Sequence, residues 1–212
     1  MADRDTPNQL IAQRFVVERL VPVIAFCGLS AVVLLALSWG GLIFVIGDVV
    51  VPAWVISAVF CVMSLVFALF DRRSRVKLQR KQEGSGSLRK SRPRVFTAHV
   101  LTTLGVAGCV LAIVWDVAYS VTYTVLTPAG SDGCQAVVRE ASFLMAGGGE
   151  IYAVHSAGIG WRSGSWTADD GVRPIEAGQY ELSWGTTGTL VVRGDGNDPV
   201  WPAVHDVRCF EI

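Results

Sequence analysis

The side chains in this sequence that could do chemistry are few and widely spaced. His155 and His205, with Glu150 or Asp206, have the donor types of a metal site. Neither histidine has the close-spaced partner that zinc sites use, so both read more simply as strand residues. Ser163 and Ser165, in WRSGSW, lack the nucleophile elbow G-x-S-x-G, and no base held by an acid lies beside them. The run Gly194-Asp195-Gly196-Asn197-Asp198 resembles one turn of a calcium-binding G-G-x-G-x-D repeat, but those repeats hold metal by stacking and this chain has one copy, so a plain Asp/Gly turn is preferred. The sequence contains no phosphate loop or dinucleotide fingerprint. Enzyme activity is disfavoured, and neither a cofactor nor a metal is expected.

Three other groups invite a functional reading. Cys134 and Cys209 bracket a polar tail without C-x-x-C spacing, which suits a structural disulfide better than a thiol catalyst. Closing so long a loop stabilises a small domain by roughly 4 kcal/mol. Asp48 and Asp116 are the acids that a transport path would use, since ionisable residues within apolar segments mark ion or proton routes. Both, however, fall near the ends of their segments, where a solvated interfacial carboxylate costs little. His99 is separated from Asp116 by roughly 25 Å of helix, too far for a relay. Trp161, Trp166, Trp184 and Trp201, with Tyr152, Tyr180 and Phe210, are either the core of a small domain or a recognition surface for a glycan, peptide or protein.

The elements that must position these residues are set by hydropathy and charge. With 51% hydrophobic and 17% charged residues, the chain has the composition of a membrane protein. Residues 20–70 contain one charged residue, Asp48, and residues 95–125 one more, Asp116. Residues 1–19 form a polar lead, read as uncleaved because the apolar segment that follows is too long for a secretory signal. Residues 20–70 are long enough for two spans of ~20 residues, with a turn between Trp39 and Trp54 marked by Gly40, Gly41, Gly47, Asp48 and Pro52. The first of these helices is expected to run as far as about Ile46. A third helix with an outer extension occupies 95–128, with Trp115, Tyr119 and Tyr123 spaced four apart as an aromatic anchor. On it, Gly105 and Cys109, or Gly108 and Ala112, suit packing against the first two spans or against another copy of the chain.

Between the apolar blocks, residues 71–94 carry ten bases against two acids, a net +8, whereas the tail from Gly130 onward has five bases against eleven acids, a net −6. By the positive-inside rule the basic connection is cytoplasmic, which places the N-terminus inside and the tail outside the cell membrane. Arg72, Arg73, Arg75, Lys77, Arg80 and Lys81 could contact anionic lipid head groups, although a topology signal alone explains them. A helix continuing the second span is expected there, broken by Gly84-Ser85-Gly86-Ser87. Nucleic acid is not expected as a partner, because no aromatic residue in this loop could stack on bases. Arg outnumbers Lys fifteen to three, and with abundant Ala, Gly and Val this suggests a GC-rich, bacterial genome.

Residues 129–212 read as β, with runs at 134–144, 150–155, 160–167, 179–184, 189–193 and 203–210 separated by Gly- and Asp-rich turns, including Gly147-Gly148-Gly149. The expected architecture is three transmembrane α-helices followed by a small extracytoplasmic all-β sandwich or barrel. The expected function is non-enzymatic: a membrane protein displaying a disulfide-closed β domain for binding, as an accessory subunit of an envelope complex or a ligand sensor. Its expected partners are membrane lipids and a membrane or envelope protein, or a second copy of itself. Alternatives are an oligomeric transport or pore component built from the helices and, behind it, a cell-envelope enzyme.

Overall fold

A computed structural model of the chain describes residues 6–81, 93–130, 132–194 and 199–209. The chain divides into two compact units, one of Met1–Leu35 with Trp54–Cys109, the other of Ala36–Ala53 with Val110–Ile212. Its helices are α1 (Thr6–Trp39), α2 (Ala53–Lys81) and α3 (Pro93–Ala118). Among the described residues, three stretches are long and apolar enough to cross a membrane: Leu20–Trp39, Ala53–Ser74 and Phe96–Ala118. Less than a quarter of each stretch is buried inside the protein, so most of its apolar surface faces outward, as lipid solvation requires.

The helical unit is held together by small residues and interhelical hydrogen bonds. Ala31, Cys61 and Cys109 form its buried centre. A Cβ on Gly105 would lie 2.8 Å from Cys61 Sγ, and one on Gly108 would lie 2.0 Å from Leu35 Cδ2, so both glycines permit close approach to α1 and α2 of the same chain. Ser57 Oγ donates to the Ala31 carbonyl at 2.7 Å, and Ser64 Oγ lies 2.7 Å from Thr102 Oγ1. These bonds satisfy polar side chains that an apolar surround would otherwise penalise.

The second unit is a mostly antiparallel β domain forming a nearly closed barrel. Its strands are β1 (Leu42–Ile46), β2 (Val49–Pro52), β3 (Thr122–Val125), β4 (Gln135–Phe143), β5 (Ala146–Val154), β6 (Ile159–Asp169), β7 (Tyr180–Trp184), β8 (Gly188–Val192), β9 (Val200–Trp201) and β10 (Val204–Val207). The larger sheet runs β2-β1-β6-β5-β4-β3, with β9 also on β6, and a three-stranded sheet runs β10-β8-β7. The two ends of that order, β2 and β3, approach each other without pairing, which leaves the barrel nearly closed.

Strands β1 and β2 depart from the expected turn. The helix α1 stops at Trp39 instead of continuing toward Ile46, with Gly41 at φ 92° just beyond it. This left-handed conformation after a helix end favours glycine. The β-branched run that follows forms a hairpin about Gly47 and Asp48, and Gly47, at φ 61°, occupies the first turn position. Strand β1 then pairs with β6, Leu42 opposite Trp161 and Phe44 opposite Ile159. The connection between the first two apolar helices is thus part of the β domain.

Two cores lie on opposite faces of the central strands. Ile43, Val45, Val137, Tyr152 and Val154, with Val50 and Val125, fill the inside of the curl. Val138, Ile151, Trp166, Leu190, Val192 and Val207 pack between the two sheets. Because both faces of β4 and β5 are covered, neighbours such as Val137 and Val138 are both fully buried, and the apolar runs do not alternate.

Two further expectations are corrected. Gly147-Gly148-Gly149 lies inside β5, not in a turn, and a Cβ on Gly149 would sit 2.2 Å from the Trp166 ring. The glycine here makes room for a core tryptophan. Tyr123 lies on β3 opposite Arg139, so it does not extend the aromatic row of α3, which ends at Ala118. Trp115 and Tyr119 do stack, with ring centroids 4.4 Å apart.

Candidate functional site

The β domain contains a cleft of about 380 Å³ beside the Cys134–Cys209 disulfide. Gly130 and Asp132 come from the β3–β4 loop, His155 from the end of β5, Trp184 to Gly188 from the β7–β8 turn, and Arg208 from the end of β10. The bond between Cys134 and Cys209 links the start of β4 to the segment after β10, and so fixes two walls of this cleft.

Trp184 forms a rigid wall. Its indole N–H donates to the Pro128 carbonyl at 2.7 Å, and Cβ atoms on Gly130 and Gly188 would lie 2.9 and 2.6 Å from its ring. Two glycines are needed for the backbone to approach the indole this closely. His155 uses Nδ1 locally, accepting the Ala157 backbone N–H at 3.2 Å. The cleft offers an acid, a base, an imidazole, hydroxyls of Thr186 and Thr187 and one aromatic wall, a set able to bind a small polar ligand or a peptide side chain.

A second polar constellation lies on the concave face of the larger sheet. Arg139 Nη2 is 3.0 Å from Asp116 Oδ1, and its Nη1 is 3.4 Å from Glu150 Oε2. Arg162 meets Glu150 Oε1 at 2.8 Å, and the Tyr152 hydroxyl donates to Glu150 Oε2 at 2.7 Å. Burial opposes the charge of Glu150, but the Tyr152 hydrogen bond and the two guanidinium groups outweigh it and hold the carboxyl below its ordinary range. Burial likewise opposes the charge of Arg139, yet Tyr123, Asp116 and Glu150 hold its pKa above the usual value. Burial also pushes Tyr123 up to about 12. Charges that satisfy one another in this way form a structural network.

The residues singled out in the sequence are distributed as follows. Asp116 belongs to that network, whereas Asp48 lies in the exposed β1–β2 turn. Trp166, 3% exposed, is a core residue and is removed from the candidate recognition surface. Trp184 is pinned, Trp161 is 37% exposed and Trp201 is 79% exposed, beside the exposed Val204.

His205 is buried against Trp166 and contacts the Pro202 carbonyl through Nε2 at 2.9 Å, in a setting apart from that of His155. Among the described residues no cluster of three or more His, Cys, Asp or Glu could hold a metal ion. Arg72 and Arg73 are exposed, and α2 carries Arg75, Lys77, Arg80 and Lys81 in its last turns. The Gly84–Ser87 joint, Phe210 and most of the Gly194–Asp198 run lie outside the described residues.

Sequence reasoning missed Glu140. It is 1% exposed, and its carboxylate accepts the backbone N–H groups of Ile175 at 2.8 Å and Glu176 at 2.9 Å. The available signal is an acid close behind the apolar run AVV in QAVVREASF. No family model, curated protein or solved structure matches this chain.

Proposed function

We propose that this is a non-enzymatic integral membrane protein that displays its β domain for binding, as an accessory subunit of an envelope complex or a ligand sensor. The N-terminus and the basic 71–94 connection are cytoplasmic, and the β domain is on the opposite side. The charge contrast of +8 against −6 supports that orientation. The observation that carries the reading is the pairing of Leu42–Phe44 with Ile159–Trp161. Through it the domain incorporates the connection between α1 and α2 and also follows α3 directly. The domain is therefore built from two separate stretches of the chain, the α1–α2 connection and the segment after α3.

Binding is assigned to the cleft beside the disulfide and to the exposed Trp201–Val204 surface, since rigid aromatic groups make efficient recognition anchors. The test is purification of the full chain from its native membrane in mild detergent. A stoichiometric partner is expected, and its retention should fall in Trp201→Ala or Thr187→Trp, the latter filling the cleft. A lone monomer that retains nothing, or a partner indifferent to both changes, would remove the proposal. The transport alternative is less well supported, because Asp116 is bound to Arg139 and Asp48 is in a turn.

A further inference from the structure

The β4–β5 hairpin ends in three consecutive apolar side chains. Phe143 is 44% exposed, Leu144 84% and Met145 75%. Phe143 and Ala146 form the last pair, leaving Leu144 and Met145 as the tip. Leu144 has φ 54°, a left-handed conformation that disfavours a bulky side chain and ordinarily selects Gly or Asn. An exposed leucine in that conformation contributes nothing to either core of the domain. Its selection therefore calls for something outside the protein.

The surroundings say what that is. Tyr119, one residue past the end of α3, stacks on Trp115 at 4.4 Å and meets Phe143 with ring centroids 5.2 Å apart. The Ser142 N–H donates to the Tyr119 carbonyl at 2.8 Å, and Arg173 Nη2 donates to the Ser120 carbonyl at 2.6 Å while its Nε reaches Ser142 Oγ at 3.3 Å. These bonds fix the hairpin tip at the level of the helix end. Below it, Val114, Trp115 and Val117 of α3 are 58, 56 and 74% exposed, so the apolar tip continues the apolar exterior of the helix through a row of three rings. On its other side, the Leu144 carbonyl is close against Gly171, which covers the hairpin backbone and leaves the side chains outward.

We propose that Phe143-Leu144-Met145 is a lipid-inserted wedge, occupied by acyl chains of the leaflet that surrounds the end of α3. Aromatic rings at the interfacial level with aliphatic side chains beyond them are the pattern by which proteins enter a bilayer surface. The proposal rests on the reading that the helix at Phe96–Ala118 spans the membrane, and the experiment separates the two. The full chain, carrying the photoreactive residue benzoylphenylalanine in place of Leu144, Val114 or Asp48, is reconstituted into phosphatidylcholine vesicles. After irradiation, the intact mass identifies what each position has captured.

Phospholipid adducts at positions 144 and 114 and none at 48 are the expected result. Lipid capture at 114 with none at 144, or a chain-to-chain crosslink at 144, overturns the wedge and leaves the spanning helix intact. Absence of lipid at 114 overturns the spanning helix, and the wedge with it.

Discussion

Replacing Glu140 with alanine should release the turn that follows Arg173 and weaken the β domain. The carboxylate stands on β4, 1% exposed, and receives two backbone N–H groups from the connection between β6 and β7. That connection carries Ile175, itself 3% exposed in the core between the sheets. Hydrogen bonds to a charged group contribute about 1.5–3 kcal/mol each, and a buried donor left without an acceptor costs about 1–3 kcal/mol. The Ile175 N–H is buried and would lose its acceptor outright, whereas Glu176 is exposed, so water can replace the carboxylate there. Removing a buried charge also removes its desolvation cost, which offsets part of the loss. A net destabilisation of about 2–4 kcal/mol follows. Glu140→Gln keeps one acceptor oxygen but turns an NH2 toward the other N–H, and should fall between wild type and alanine.

Hydrogen exchange in detergent micelles, read at the Ile175 and Glu176 amides, measures this directly. The loss corresponds to exchange roughly 30- to 1,000-fold faster in Glu140→Ala. Burial holds the Glu140 carboxyl above its ordinary range in spite of the two N–H donors. For an acid with a raised folded pKa, the associated stability is complete below the unfolded pKa and is partly lost as pH rises through the folded one. The Gln variant should lack that dependence. Unchanged exchange at Ile175 in the alanine variant would show that packing alone holds the turn and refute the reasoning.

Three further outcomes are expected. Burial lowers the pKa of His205 below its ordinary value of 6.5, so the stability it contributes is complete above that value and is lost as pH falls through the folded pKa; denaturation midpoints should drop on acidification in wild type and much less in His205→Gln, and equal slopes would exclude His205 as the cause. Reducing the Cys134–Cys209 bond, which spans 75 positions, should cost roughly 4 kcal/mol in denaturant titrations with and without reductant; two free thiols in a non-reduced digest of the membrane-derived protein would count against both the bond and the oxidising compartment. Gly149→Ala places a methyl group 2.2 Å from the Trp166 ring and should cost about 1–3 kcal/mol with a shifted tryptophan emission, whereas an unchanged spectrum would mean that the ring is not held there.

Much of this architecture could be read from the sequence because its elements obey simple periods. The strands at 135–143, 159–169, 180–184 and 188–192 fall where β-branched and aromatic runs lie between Gly- and Asp-rich turns, and the paired cysteines bracket the polar tail. The strands at 42–46 and 49–52 were obscured because LIFVI and VVVP are as apolar as a lipid-facing helix. A strand buried by its neighbours and a helix solvated by lipid carry the same composition, so hydropathy could not separate them. The three glycines of β5 misled for a related reason. For Gly149 the explanation is the Trp166 ring, seventeen positions beyond it, while Gly147 and Gly148 approach the backbone carbonyls of Val172 and Trp166, and a local rule reads such a run as a turn. Trp166 and Trp201 illustrate the same limit for the site, since one is core and the other surface although both are tryptophans in β segments.

Asp116 shows how tertiary context decides what an ionisable residue does. It lies near the C-terminal end of α3, where the helix dipole disfavours negative charge, and an isolated carboxylate there would be poorly placed. Read along the helix alone, such an acid suggests an ion path. The β domain instead brings Arg139, twenty-three positions away on β4, to within 3.0 Å of it and offers the same guanidinium to Glu150. Glu150 in turn holds Arg162, whose backbone N–H bonds to the Gly41 carbonyl, next to the end of α1. One chain of contacts therefore connects the end of α3, the three strands β4, β5 and β6, and the segment leaving α1. Charges committed to one another across four parts of the chain favour a fixed scaffold over a moving proton carrier. The proposed recognition of a partner is accordingly assigned to the part of the domain outside the network, the disulfide cleft and the Trp201 surface.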